Sequence, residues 1–391
     1  MMHEELTFAA LIKTCTKKKD LYTGRKLHAD IHRRCLLQRS PYLGNTLISM
    51  YIKCGLLAQA EQVHEELSLR NVITWNALIS GYAQHGKSNE ALNCLEQMRR
   101  EGISPNVVTF TCILTACSKA GDIGSGEEIH EEIVSRGLLR KDIVLDNALV
   151  NLYAKCGLLE KAQRVLEGIP IRNVVTWASL IAGYTQQGQC HEAWSCFNRM
   201  QNEGISPDAI VFTCIVKACG KSRDIKKGKQ IHDDILNRGL LENDIMLGNA
   251  LVDMYAQCNM FEKAHEVLEK LPIRNVGSWN ALITGFAQSH GRGHEALHCF
   301  EQMKHEGLPP DEATLTCIMK ACGMLGDIAK GKEIHDEIAY RGLLKKDAIL
   351  GNALVDMYAK CGMLAKAQKI LEQLCVRDVV SWSALIVGYT Q

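Results

Sequence analysis

The apolar residues of this chain fall into short stripes with a helical period, and no segment alternates with a period of two. The stripe Trp75, Leu78, Ile79 and Tyr82 has the spacing i, i+3, i+4 and i+7, which predicts one buried face of an α-helix. A second stripe begins at Ala91 and predicts a second helix. The pattern therefore predicts helical hairpins, which must stack on their neighbours to bury their apolar faces.

Polar residues and glycine mark the ends of the predicted helices. Thr74 stands directly before the first stripe and is expected to cap its helix, and Gly86 is expected to end it. Gly102 and Pro105 close the second helix. Similar punctuation returns along the chain, so the hairpin is predicted to be a repeating unit.

The hairpins recur with a long period, because the segment around Trp75 returns at Trp177, Trp279 and Trp382 at spacings of 102, 102 and 103 residues. Each long unit divides into modules of 35, 36 and 31 residues, here called 35-type, 36-type and 31-type. The 36-type modules are 4–39, 106–141, 208–243 and 311–346, and the 31-type modules are 40–70, 142–172, 244–274 and 347–377. The 35-type modules are 71–105, 173–207, 275–310 (one extra residue) and the opening of a fourth at 378–391. We expect one array over 4–391, an all-α, right-handed α-solenoid superhelix of stacked helix-turn-helix repeats.

Net charge and hydropathy argue against two classes of protein, strongly basic nucleic-acid binders and membrane-spanning proteins. The chain has 45 Lys and Arg against 44 Asp and Glu, so it lacks the basic excess of a strong nucleic-acid binder. Attraction to an anionic partner would need segregated charge, with Lys53, Lys155 and Lys360 on first helices and acids such as Glu127 elsewhere. No apolar run reaches the roughly 18 residues of a membrane helix. The acidic N-terminus predicts no transit peptide in this chain, and the stop at Gln391, half-way through a hairpin, favours a fragment.

Cysteine and histidine are the candidate reactive residues. Among 17 cysteines there is no C-x-x-C, and pairs such as Cys112 and Cys117 lie five residues apart on a helix, which fits a shared metal poorly. We expect small buried apolar residues in a reducing compartment, and no metal site. A histidine recurs at one place in every 36-type module, where a packing or polar contact is expected rather than catalysis: His28, His130, His232 and His335.

Three motifs recur in a fixed order: V-x-T-W-N-A-L-I-x-G-Y in the 35-type, G-x-x-I-H in the 36-type and N-A-L-V-x-M-Y-A-K-C-G in the 31-type modules. The modules resemble the P, L and S motifs of plant pentatricopeptide repeat (PPR) proteins of the PLS class over essentially all of 4–391. The tetratricopeptide repeat places its glycine two residues earlier and has a uniform period. The resemblance implies sequence-specific binding of single-stranded RNA, one base per repeat, as a targeting array for organellar C-to-U editing or RNA processing. A helical-repeat scaffold for protein–protein interaction is the alternative hypothesis.

The resemblance also implies site residues, counted from one residue after each boundary above. In the family, the fifth and last residues of a module face the base edge, and the second packs on the base plane. The implied base-reading pairs are Asn45 with Asn71, Asn76 with Asn106, Asn147 with Asn173, Ala178 with Asp208, Asn249 with Asn275, Asn280 with Asp311, and Asn352 with Asp378. The implied base-plane residues are Tyr42, Ile73, Val144, Val175, Met246 and Ile349. The 36-type pairs, whose role in base choice is the least defined, are Ala9 with Ser40, Thr111 with Asp142, Thr213 with Asp244, and Thr316 with Asp347.

An asparagine amide carries a donor and an acceptor side by side, so it can address the Watson–Crick edge of a pyrimidine. By family analogy, Asn with Asp favours U, and Asn with Asn favours C or U. The implied target, 5′ to 3′ from the module of Asn45, is Y-Y-n-Y-n-n-Y-U-n-U. Ala178 offers no hydrogen-bonding group, and Gly277 stands where an apolar base contact is expected. Asn and Asp at module ends are also ordinary turn and cap residues, and this interpretation stays open.

The resemblance implies partners and a location as well. Small organellar editing cofactor proteins would bind the L motifs, the location would be the chloroplast or mitochondrion, and the chain is expected to be a monomer without a membrane partner. No cofactor and no catalytic residue is expected. A cytidine-deaminase-like zinc centre needs H-x-E followed by P-C-x-x-C, and the cysteine pair is missing.

Overall fold

A computed structural model describes residues 2–242, 244–289, 291–345, 348–374 and 377–390. In these ranges the chain forms 23 α-helices and two short 3₁₀ segments, Leu240–Glu242 and Leu343–Lys345, and no β-strand. The helices are α1 (Met2–Lys18), α2 (Leu21–Arg33), α3 (Pro41–Lys53), α4 (Leu57–Glu66), α5 (Val72–Gln84), α6 (Ser88–Arg100), α7 (Val107–Ala120), α8 (Ile123–Ser135), α9 (Ile143–Lys155), α10 (Leu159–Gly168), α11 (Val174–Gln186), α12 (Cys190–Asn202), α13 (Ala209–Ser222), α14 (Ile225–Asn237), α15 (Ile245–Gln257), α16 (Phe261–Lys270), α17 (Val276–Gln288), α18 (Gly293–His305), α19 (Glu312–Leu325), α20 (Ile328–Tyr340), α21 (Ala348–Lys360), α22 (Leu364–Gln373) and α23 (Val379–Thr390).

The helices follow the predicted modules two by two. Odd-numbered helices are the first helices of successive modules, and even-numbered helices are the second helices. The predicted stripe of α5 is buried, because Trp75, Leu78, Ile79 and Tyr82 are each at most 4% exposed. The all-helical hairpin prediction is therefore confirmed.

The chain divides into two compact units, one containing Met1–Gln187 and Cys196–Ser206, the other Gly188–Ser195 and Pro207–Gln391. Within each unit, a first helix packs against its own second helix and against the first helix of the next module. Most second helices also contact the following first helix. First helices thus form one layer of each unit and second helices the other, with the apolar core between them.

The predicted cap of α5 was placed wrongly. Asn71 is the N-cap, and Thr74 lies at the third helical position. The Asn71 side chain accepts from the backbone N–H of Thr74, and the Thr74 hydroxyl accepts from the backbone N–H of Asn71, at 3.1 and 2.9 Å. Because the extended cap residue reaches forward to the third helical N–H, the cap precedes the stripe by four residues rather than one. Gly86 has a φ of +68° directly after the C-cap and ends the helix as predicted.

The recurring histidine forms a polar contact between modules, as predicted. Its Nδ1 atom is hydrogen-bonded to the tyrosine hydroxyl of the next 31-type module at 2.7–3.0 Å, with the two rings edge to face. Burial lowers the pKa of these four histidines, so the neutral imidazole is favoured. The pairs are His28 with Tyr51, His130 with Tyr153, His232 with Tyr255, and His335 with Tyr358.

A second recurring contact, which the sequence analysis missed, joins each of the first three 31-type modules to the next 35-type module. Glu203 accepts from the indole of Trp177 at 3.1 Å and from Arg172 at 2.5 Å. Arg172 also donates to the carbonyl oxygens of Leu166 and Glu167 at the end of α10. The same arrangement is made by Arg70, Trp75 and Glu101, and by Arg274, Trp279 and Glu306. Each glutamate therefore fixes the segment that leads into the next first helix.

The cysteines mostly pack as apolar residues, as expected. Cys117, Cys219 and Cys322 are buried and their partners in the predicted pairs are half-buried. Burial raises the pKa of Cys117, Cys219 and Cys322 to about 12. In the described ranges no cluster of His, Cys, Asp and Glu is suited to a metal ion, and no helix is long and apolar enough to cross a membrane.

Candidate functional site

In five modules the fifth residue is in contact with the last residue of the same module. The fifth residue lies in the second turn of a first helix, and the last residue is the N-cap of the next first helix. Because adjacent first helices pack side by side, the two side chains come into contact: Asn76 Nδ2 donates to Asn106 Oδ1 at 3.2 Å. Two further pairs make the same bond, Asn147 with Asn173 at 3.4 Å and Asn249 with Asn275 at 3.3 Å.

Two pairs end in aspartate and are closer. The amide of Asn280 donates to both carboxylate oxygens of Asp311 at 3.0 and 3.1 Å, and Asn352 does the same with Asp378. Burial alone would raise the pKa of Asp311, but hydrogen bonds from Thr314 and Asn280 outweigh it and lower that pKa. The pKa of Asp378 is lowered by bonds from Ser381 and Asn352. Both aspartates are therefore carboxylates at neutral pH.

Other implied pairs are not brought together. Asn45 and Asn71 form no hydrogen bond with each other; the carbonyl oxygen of the Asn45 side chain is buried without a partner, and Asn71 caps α5. Ala178 lies in α11 and has no polar group, while Asp208 is the N-cap of α13.

The three implied 36-type pairs that lie within the described residues also lack the contact. The hydroxyls of Thr213 and Thr316 bond back to Ala209 and Glu312 in their own helices, and the Thr111 hydroxyl has no partner. Asp347, the implied partner of Thr316, lies outside the described residues.

A third side chain, which the sequence analysis did not single out, completes four of the pairs. It is the third residue of the following module, a fully buried threonine or serine. Thr176 Oγ1 lies 2.7 Å from Asn147 Oδ1 and 2.9 Å from Asn173 Oδ1. Its counterparts are Thr109 for Asn76 and Asn106, Ser278 for Asn249 and Asn275, and Thr314 for Asn280 and Asp311. The repeated hydroxyl after Asn-bearing modules was the available sequence signal.

Each completed pair leaves defined groups unused. The amide of Asn147 donates one N–H to Asn173 and accepts one hydrogen bond from Thr176. One N–H donor and one acceptor site of this amide remain unused. Asn173 Oδ1 accepts from the backbone N–H of Thr176 and from the amide of Asn147, and the N–H groups of the Asn173 side chain make no bond to the described residues. Where the last residue is Asp311, an acceptor oxygen stands in place of those donors. The module-end residues therefore act as helix caps and also contribute to the pairs.

Beside the pairs, an apolar side chain stands exposed at the second position of the first helices. The six implied base-plane residues are between 46% and 66% exposed. The structure adds Leu6, Val108, Ile210 and Val380, which the sequence analysis missed although they occupy the same position. Gly277 leaves this position empty in the third 35-type module, as predicted. An apolar side chain in water next to free amide groups is suited to a flat aromatic ligand.

Charge is divided between the two layers. Lysine outnumbers the acidic residues on the first helices, whereas acidic residues outnumber basic ones on the second helices. Lys53 and Lys155 are exposed in the last turns of α3 and α9, and within the described residues neither lies in an ion pair. Lys360 pairs with Asp356 at 2.7 Å. The acids of α8 are partly neutralised, since Lys161 pairs with Glu127 and Arg99 with Glu132.

Comparison with known proteins gives one repeat family. A sequence profile described as the PPR repeat family matches residues 70–119, 172–241 and 274–324. A second profile, the PPR repeat, matches 45–72, 108–138, 147–174, 249–276 and 352–379.

Relatives from Arabidopsis thaliana match over almost the whole chain. The pentatricopeptide repeat-containing protein At2g03380, mitochondrial, is 31% identical over 99% of this chain and 55% of its own length. The pentatricopeptide repeat-containing protein At1g11290, chloroplastic, is 34% identical over 98% of this chain and 47% of its own length. The chain thus spans about half the length of the curated relatives it matches. The crystal structure of PPR10 in complex with an 18-nt psaJ RNA element has a TM-score of 0.73 at 20% identity, covering 92% of this chain and 54% of that chain, and shows the same fold.

Proposed function

The chain belongs to the pentatricopeptide repeat family, and from this premise we propose that it binds single-stranded RNA with one base per module. The observation that carries the proposal is the repeated triplet of an exposed apolar side chain, an asparagine amide and a module-end Asn or Asp. The apolar side chain would pack on the plane of a base, and the two polar side chains would contact its edge. The RNA-bound state of PPR10, a protein of the same fold, is consistent with this ligand.

The groups left unused in the pairs support a pyrimidine preference. Uracil presents an N–H donor at its N3 position, whereas cytosine presents an acceptor there. Asp311 and Asp378 offer acceptors, so their modules would favour U. Asn106, Asn173 and Asn275 offer N–H donors, so their modules would accept C as well as U. The proposed target is Y-Y-n-Y-n-n-Y-U-n-U, and the module of Ala178 is a spacer within it.

We propose that this RNA-binding array directs organellar RNA editing or processing by positioning other components. The PLS motif order supports editing, and the names of the relatives place them in mitochondria and chloroplasts. Editing cofactor proteins on the 36-type modules would supply affinity that the nearly neutral chain lacks. No catalytic step is assigned to these residues.

The test is selection of RNA from a random single-stranded pool by the purified chain, followed by sequencing. The proposal expects pyrimidines at the six nucleotides facing the Asn-bearing modules, in the spacing given above. Binding of peptides or proteins without enrichment of any RNA would favour the protein-interaction scaffold instead.

A further inference from the structure

A buried hydroxyl follows every asparagine of the candidate site along the chain. The six modules whose fifth residue is asparagine are each followed by a module whose third residue is threonine or serine: Thr74, Thr109, Thr176, Ser278, Thr314 and Ser381. The five modules whose fifth residue is alanine or threonine are each followed by an apolar third residue: Leu43, Leu145, Val211, Leu247 and Leu350. All eleven third residues are completely buried. All of these positions are buried, so burial does not explain which of them carry a hydroxyl. The hydroxyl is present only where the preceding module has asparagine as its fifth residue.

The capping box determines what this hydroxyl can do. The backbone N–H of Asn173 donates to Thr176 Oγ1 at 3.2 Å, so the oxygen already acts as an acceptor. Its proton remains for Asn147 Oδ1 at 2.7 Å. By donating to Oδ1, the hydroxyl stabilises the one orientation of the Asn147 amide in which the NH₂ group points towards Asn173 Oδ1. A reversed amide would set two carbonyl oxygens against each other.

In the two remaining Asn-bearing modules the hydroxyl does not contact the asparagine side chain. The hydroxyls of Thr74 and Ser381 donate to the backbone carbonyl oxygens of Asn71 and Asp378 at 2.8 Å. In these two modules the carbonyl oxygen of the fifth residue, Asn45 or Asn352, is buried without a partner. Buried polar atoms normally find a partner, so the oxygen of the amide depends on this hydroxyl.

We infer that the buried third-residue hydroxyl is a positioning residue for base selection, supplied by the following module. It holds the amide of the fifth residue in one orientation, so that one N–H donor and one acceptor face the base in a fixed order. A module in the array therefore does not read its base alone: its selectivity depends on its C-terminal neighbour. The inference rests on the proposed function.

The test uses Thr176→Val in the full chain, which keeps the shape of the side chain and removes the hydroxyl. Binding is measured to four RNAs that differ only at the nucleotide facing Asn147 and Asn173. We expect the parent chain to prefer pyrimidines over purines there by at least about tenfold, the factor one hydrogen bond provides. In Thr176→Val the preference should fall below threefold, because the amide can turn over, while selectivity at the other nucleotides is unchanged.

Two further variants separate this role from the bulk of the side chain and from a general loss of stability. Thr176→Ser keeps the hydroxyl, as Ser278 does naturally, and should restore the preference. Ile181→Val removes a buried methyl group from the same helix without touching the site and should leave the preference intact. Retained selectivity in Thr176→Val, or equal loss in Ile181→Val, overturns the positioning role alone. If the parent chain binds RNA without preference at this nucleotide, the proposed base reading itself is wrong.

Discussion

At the scale of single residues, one side chain serves two purposes in this fold. Asn173 is the N-cap of α11 and also the partner of Asn147. An N-cap side chain needs only one acceptor, which Oδ1 provides in both Asn and Asp. The second terminal atom, Nδ2 in Asn or Oδ2 in Asp, is not needed for capping and is therefore available for recognition of a base. Helix capping therefore requires a residue such as Asn or Asp at the module end. Either one can cap the helix, so which of the two is present can depend on the base that the module binds.

The exposed apolar residues should contribute affinity without choosing the base. Met246 is 64% exposed at the second position of α15. Met246→Ala should weaken RNA binding several-fold, since stacking contacts are worth about 1–3 kcal/mol for aromatic groups and less for aliphatic ones. Preference at the facing nucleotide should stay as it is. The matched control is Leu236→Ala, an exposed apolar residue on a second helix, which should leave binding unchanged in a fluorescence anisotropy titration.

At the scale of elements, we predict that the buried histidines of the second helices make the folded state less stable in acid. Burial lowers the pKa of His64, which packs on Trp75, to about 4. In the unfolded chain this group titrates near 6.5, so below that pH the unfolded chain binds more protons than the folded one. The contribution of His64 to the free energy of unfolding is therefore fully present above about pH 6.5 and is lost as the pH falls towards 4.

This effect can be measured by urea unfolding at pH 7.5 and pH 5. His64 alone should remove about 2 kcal/mol at pH 5, and the His–Tyr pairs add to the loss. The carboxylates with lowered pKa, such as Glu266, lose their stabilisation only at lower pH. His64→Gln should reduce the difference between the two pH values. An equal difference in the variant would show that another group is responsible.

The sequence was sufficient for the helices, and the resemblance implied the five pairs that the structure brings together. The stripes of α5 and α11 predicted the helices, whereas the pairing of Asn147 with Asn173 was implied by the resemblance to PPR repeats. The Thr176 hydroxyl was missed because Thr176 belongs to the next module and looks, within its own helix, like an ordinary capping residue. No local pattern predicts the missing contact between Asn45 and Asn71, because Asn352 and Asp378 are in contact although the Ser381 hydroxyl, like that of Thr74, donates to a backbone carbonyl oxygen.

At the scale of the whole molecule, the proposed binding of an anionic RNA by a nearly neutral chain requires segregated charge. Lysines such as Lys53 and Lys155 stand exposed on first helices, whereas much of the acidic charge of the second helices is held in ion pairs. Affinity for RNA should therefore be modest for the chain alone and should fall steeply with salt.

The slope of log affinity against log salt concentration tests this arrangement. Each lysine that neutralises a phosphate contributes about 0.7 to the slope for a single strand. Replacing Lys53 and Lys155 by glutamine should lower the slope by roughly twice that amount. Lys161→Gln removes one charge from a second helix and should leave the slope unchanged. An equal change in slope per charge removed in both variants would contradict the assignment of RNA to the first-helix layer.

The central claim is that a module-end residue reads a base through the donor or acceptor it presents beside a fixed asparagine. The most direct measurement is a reciprocal exchange, Asn173→Asp and Asp311→Asn, with binding measured to RNAs carrying C or U at each facing nucleotide. We predict that Asn173→Asp shifts its nucleotide towards U and Asp311→Asn shifts its own towards C, each by about tenfold, the value of one hydrogen bond. Preferences that stay fixed, or that move in the same direction in both variants, would contradict the account.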